Sequence, residues 1–135
     1  MNIELAYLLL TALLTGLLWI PVVIGYVTSR GVLTPASYKV APTSALPDWV
    51  NRAHRAHMNA VENFAPFAAV VLTGQAIGVH GTLTAACAAT YFFARLAHAL
   101  IHISGFGLFK ARTVLFTIGW IAFVAYAAVL LRHAF

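Results

Sequence analysis

The chain has 135 residues, is 62% hydrophobic and only 8% charged, with a mean hydropathy of +0.90. Soluble domains are roughly 45–50% apolar and about 25% charged, so this composition excludes one, and its hydrophobicity excludes disorder. Eight Lys and Arg against three Asp and Glu leave a net +5, and because the cations lie at the ends of apolar runs, membrane topology accounts for them better than nucleic acid does.

In chain order, the first apolar run is uncharged from Leu5 to Ser29. It is long enough to span a bilayer. It is not expected to be a cleavable leader, because no basic segment precedes it and no small-residue cleavage site follows. Pro21 predicts a kink near Trp19–Pro21. The next stretch, about Arg30 to Pro47, holds Pro35, Pro42 and Pro47 among Ser and Thr, and is expected to be irregular rather than helical. Asp48 reads as the N-cap of a second helix. That helix begins polar, RAHRAHMNAVE, and is uncharged from Asn63 to Val79. The short GVHG segment at Gly78–Gly81 suits a tight turn between antiparallel helices. A third span follows from Thr82 to Ser104, apolar except for Arg95, His98 and His102. The fourth is uncharged from about Thr113 to Leu131.

The expected fold is therefore all-α: one integral membrane four-helix bundle over residues 1–135, with helices at about 3–29, 49–78, 82–104 and 112–132. Arg30, Lys39, Arg52, Arg55, Lys110 and Arg112 fall on one membrane face, Glu4 and Arg132 on the other. The positive-inside rule puts the two basic loops in the cytoplasm and both termini outside. Cys87 has no partner for a disulfide and reads as a small buried apolar residue.

Polar residues inside spans carry the functional signal. Arg52, Arg55, Asn59, Glu62 and Pro66 are spaced 3, 4, 3 and 4 apart, which lays them along one face of the second helix. His54, His57 and Met58 form a shorter line beside it. Arg95, His98 and His102 are spaced 3 and 4 apart on the third helix. Both stripes run to the same membrane half, where they are expected to line one cavity. Glu62 and Arg95 lie deepest and are expected to pair with each other, since a lone buried charge is unstable. Arginine forks clamp carboxylates, and a carboxylate receives an ammonium. Glutathione, an amino acid or a lipid phosphate each suits that inventory.

The segment R52AHRAHMNAVENFAPF67 resembles the MAPEG family, the membrane-associated proteins of eicosanoid and glutathione metabolism. The likeness lies in the R55AHMNAVE62 core and the NFAPF67 end, with R95LAH98 on the third helix and Arg112-Thr113 after the last loop. The resemblance implies a four-helix protomer, a homotrimer, and glutathione as co-substrate between neighbouring subunits toward the cytoplasm. Carried over by position, Arg55, Asn59, Glu62, Arg95, His98 and His102 surround glutathione, Arg30 resembles the family's helix 1 arginine, and Arg112 stabilises the thiolate. Met58 and His102 stand where eicosanoid-type members carry Arg and Tyr. They argue against a specialised eicosanoid synthase and for a generic bacterial-type member in the inner membrane. Such a member would be a transferase or peroxidase acting on a lipophilic electrophile drawn from membrane lipid, with no nucleic-acid partner and no metal. The alternatives are a non-catalytic scaffold or regulator of the same fold, or a metal or haem site built on His54, His57, His98 and His102.

Overall fold

A computed structural model describes residues 2–32, 34–39, 45–107 and 110–135. The described residues form helices α1 (Ile3–Leu17), α2 (Trp19–Arg30), α3 (Asp48–Ala76), α4 (Thr82–Ser104) and α5 (Ala111–Ala134). Helices α1 and α2 are two halves of one rod, so the bundle has four. The break falls at Leu18. Pro21 explains its place: it has no N–H to donate to the Leu17 carbonyl, and its ring crowds that same carbonyl.

Two local expectations need correction. The loop after α2 is not wholly irregular, because Pro35–Tyr38 closes a 3₁₀ turn. Pro35 supplies the preset φ at its start, and the Ser37 hydroxyl donates to the Thr34 carbonyl at 2.6 Å. Pro42 lies outside the described residues. Asp48 is not the cap of α3. Pro47 holds that position, and Asp48 is the first helical residue, where its charge still favours the helix N-terminus.

Three stretches are long and apolar enough to cross a membrane: Ile3–Arg30, Thr82–Ser104 and Ala111–His133. Helix α3 falls outside that group because its first half carries the polar stripe. It nevertheless lies inside the bundle. Gly25 lets α2 approach it closely, since a Cβ there would sit 2.5 Å from Val50 Cγ2. The core is built from Phe67 and Val71 of α3, Cys87, Ala88 and Tyr91 of α4, and Ala122, Tyr126 and Leu130 of α5. Phe67 stacks on Tyr91 with centroids 3.8 Å apart and planes 9° from parallel. The Tyr91 hydroxyl donates to the Asn63 carbonyl at 2.8 Å, so one aromatic side chain joins α3 and α4 by both packing and a hydrogen bond.

Glu4 is the main surprise in the fold. The charge balance treats it as a terminal acid on the outer face, yet it is 3% exposed. Its carboxylate accepts from the Thr84 hydroxyl at 2.6 Å and from the Gly81 N–H at 3.5 Å. It thereby satisfies donors at the N-terminus of α4, where a negative charge is also favoured by the helix dipole. Beside it, Asn2 caps α1 by accepting from Leu5 N at 3.1 Å and donates to Gln75 at 2.7 Å. This end of the bundle is closed by hydrogen bonds among the N-terminus, the end of α3 and the α3–α4 turn.

Candidate functional site

The opposite end is built differently. Helix α4 ends at Gly105, in the left-handed region at φ 71°, and α5 starts after Lys110, which also has positive φ, 57°. Two cavities open along this α4–α5 corner. The larger, about 420 Å³, is lined by Arg52, Lys110 and Arg112 together with His102, Thr113 and the glycines of the corner. The smaller, about 290 Å³, is lined by His98, His102, Arg112, Thr113 and Phe116. The two share His102, Arg112 and Thr113, so they are adjoining parts of one recess.

Of the residues expected from sequence, His98, His102 and Arg112 come together here. His98 is 7% exposed and meets His102 edge to face at 5.5 Å. Both ring nitrogens of His102 are buried and accept or donate no hydrogen bond within the described chain. Buried polar atoms in native structures are nearly always partnered, so His102 is poised for a partner that the described residues do not supply.

Arg95 corrects the expected ion pair. Its Nη1 donates to Asn59 Oδ1 at 3.1 Å and its Nη2 to Asn63 Oδ1 at 2.8 Å. Its guanidinium lies over the Phe116 ring at 4.7 Å and the Tyr91 ring at 5.1 Å. Among the described residues no ion pair joins it to Glu62, which is exposed. The reason is helical phase. Asn59 and Asn63 are four apart and point nearly the same way, whereas Glu62 is turned by about 100° from Asn63. Two amide carbonyls answer the Nη groups and two ring faces cover the guanidinium, while Nε has no hydrogen-bond partner among the described residues; no carboxylate is buried beside it, which avoids a second desolvation penalty. Asn63 is a member of this cluster that the sequence reading passed over. Its spacing of four from Asn59 was the available signal.

The remaining expected residues do not join the recess. Arg55 and Glu62 lie exposed on α3, near the exposed apolar residues Met58 and Val61. Arg30 ends α2 and sits 5.5 Å over the Tyr26 ring. The two stripes thus meet only in part: Arg52 reaches the recess of α4 and α5, Asn59 reaches Arg95, Arg55 is exposed but near enough for its charge to act on His102, and Glu62 is exposed. Among the described residues no group of three or more His, Cys, Asp or Glu side chains is placed to hold a metal.

Comparison with curated proteins and with solved structures returns no match. A family model does match, and it runs from residue 5 to residue 132, taking in all four rods, the Arg95 cluster and the His102–Arg112 recess. The chain is an integral membrane protein of the MAPEG family.

Proposed function

We propose that the protein is a membrane-embedded glutathione transferase of the general, non-eicosanoid type. The observation that carries this reading is the recess in which Arg112 stands beside His98, His102 and Phe116, within a family that includes glutathione transferases and related enzymes. A thiol of pKa about 8.5 is mostly protonated at neutral pH, and an adjacent guanidinium lowers that value. Arg112 lies in the first turn of α5, where the helix N-terminus adds positive potential to its own charge. The thiolate sulfur then bonds to the electrophilic carbon of an apolar substrate as the bond to the leaving group breaks. The leaving group departs with the electron pair, and the thiol proton has already passed to solvent.

Glutathione also needs partners for two carboxylates and an ammonium. Arg55 and Glu62 have that chemistry, and both are exposed on α3 of the single chain. An exposed charged pair of residues on a bundle helix is costly against lipid. This supports an assembly of copies, a homotrimer, in which the Arg55–Glu62 face of one chain meets the His102–Arg112 recess of another and glutathione lies between them. Arg30 would contribute from the end of α2. Arg95, with both its Nη groups engaged by asparagines, acts through Asn59 rather than as a direct clamp. Both termini face away from the cytoplasm in this arrangement.

The test is conjugation of glutathione to an aryl halide by the protein in detergent. Wild type is expected to turn over, and Arg112→Ala to lose about 10- to 100-fold in rate at neutral pH, matching a thiol shift of one to two units. The ultraviolet thiolate band of bound glutathione should move to higher pH in the variant. An Arg112→Ala protein that binds glutathione with an unchanged thiolate titration would remove Arg112 from the chemistry. Wild type that neither binds nor conjugates would leave the non-catalytic reading.

A further inference from the structure

The larger part of the recess has a chemistry that glutathione does not use. Its walls carry Arg52, Lys110 and Arg112, with His102 at the boundary to the smaller cavity. Among the described residues no Asp or Glu lines it. A zwitterion would bring an ammonium that finds no acceptor carboxylate here, whereas a group of concentrated negative charge meets three cations. The first turn of α5 forms part of the wall through Ala111, Arg112 and Thr113, so backbone N–H groups and the helix dipole add to the same sign of potential.

Arg52 is built into this wall rather than left in solvent. Its Nε donates to the Ile103 carbonyl at 3.2 Å, an orphan acceptor at the end of α4. Its guanidinium lies flat against Gly105, where a Cβ would come within 2.8 Å of Cζ. Gly105 therefore serves twice: it takes the left-handed turn and it leaves space for the arginine. The volume, about 420 Å³, is within the range of small-ligand sites and exceeds what a bare anion needs. At the rim, Phe106 is 62% exposed, and Trp49 near the start of α3 is also exposed. Exposed aromatics at the ends of membrane helices mark the headgroup level, and basic pockets between such helices are suited to anionic headgroups.

We propose that the Arg52–Lys110–Arg112 cavity is a phosphate-group site, taking either the phosphodiester of an anionic lipid or a soluble phosphate ester. It shares Arg112 with the glutathione reading and goes beyond it through Arg52 and Lys110, which belong to no part of the conjugation chemistry.

The experiment uses the full-length protein in a non-ionic detergent. Its thermal unfolding is titrated with glycerol 3-phosphate and with inorganic phosphate. In parallel, native mass spectrometry follows retention of phosphatidylglycerol against phosphatidylcholine. Wild type is expected to be stabilised saturably by a phosphate probe or to retain phosphatidylglycerol preferentially. Arg52→Gln and Lys110→Gln should each weaken that effect about tenfold, as loss of one charge-assisted contact does. Lys39→Gln, a cation outside the cavity wall, should leave it unchanged. Phosphatidylglycerol that survives excess glycerol 3-phosphate identifies the lipid source, and displacement or soluble-probe binding alone identifies the free ester. Should Arg52→Gln fail to fold, Arg52→Lys keeps the charge and loses the fork, and with Lys110→Gln it carries the same comparison. The proposal is overturned by the absence of both saturable stabilisation and lipid preference, or by a Lys39→Gln loss equal to that of the cavity variants.

Discussion

The two ends of the bundle solve the same problem in opposite ways. Each must terminate apolar helices with polar groups. At the end that holds the chain termini, most donors and acceptors pair among themselves: Glu4 with Thr84 and Gly81, and Asn2 with Gln75; the buried Tyr126 hydroxyl against Gly74 is an exception, with no hydrogen-bond partner among the described residues. At the α4–α5 corner, cations gather around a cavity with no acid in its wall among the described residues, and His102 keeps two buried ring nitrogens with no hydrogen-bond partner among those residues. A fully partnered polar network rigidifies a fold, while unpartnered donors raise its energy until something binds. The comparison marks the first end as structural and the second as a place where ligands act. The Arg95 cluster lies between them and is nearer the structural end in kind, because both Nη groups are answered by Asn59 and Asn63, while Nε has no hydrogen-bond partner among the described residues.

Three variants put that division at risk. The largest expected effect is from removing both asparagines under Arg95. Asn59→Ala with Asn63→Ala leaves a guanidinium, 5% exposed, with only aromatic faces. Uncompensated buried charge of this kind costs about 3–5 kcal/mol. Thermal or denaturant unfolding in detergent should show it, and a loss no larger than that of a lipid-facing Leu13→Ala control would mean Arg95 finds another partner. A smaller effect is expected for Glu4→Ala. Thr84 retains its bond to the Gly81 carbonyl at 2.9 Å, and Gly81 N retains the Thr84 hydroxyl at 2.9 Å, so no donor is stranded completely. The expected loss is about 1–2 kcal/mol, and Glu4→Gln should recover part of it. Hydrogen exchange at the start of α4 should rise in Glu4→Ala while the α4–α5 corner stays unchanged. An equal rise at both ends would dissolve the distinction. The smallest stability effect is expected for Glu62→Gln. Glu62 is exposed and unpaired with Arg95, so unfolding of the single chain should move by no more than about 0.5 kcal/mol. Glutathione affinity should fall in the same variant if that face completes a site between copies. A stability loss as large as that of the asparagine variant would restore the buried ion pair.

Much of the architecture was readable without coordinates. Uncharged runs longer than a bilayer is thick have few ways to fold, and Pro21 announced a break whose place follows from its missing N–H. The stripes on α3 and α4 were readable too, because a 3–4 spacing lays side chains on one helix face whatever surrounds the helix. The assignment of partners was not. Glu62, Asn59 and Asn63 all lie within a turn of one another, and the rotation of α3 against α4 chose the two amides for Arg95. Glu4 and Thr84 are separated by 80 positions, so nothing local to either could announce the bond between them.

Composition and periodicity thus determined the number of rods, the membrane-spanning character of three of them and the faces that carry polar groups, since these depend on transfer from water and on helix geometry alone. The tertiary structure decided which polar groups satisfy one another and which remain for a ligand. Hydrogen bonds and ion contacts act over about 3 Å, and whether two groups come within that distance depends on the phase and closeness of packed helices, as at Gly25 against Val50 and Gly105 against Arg52.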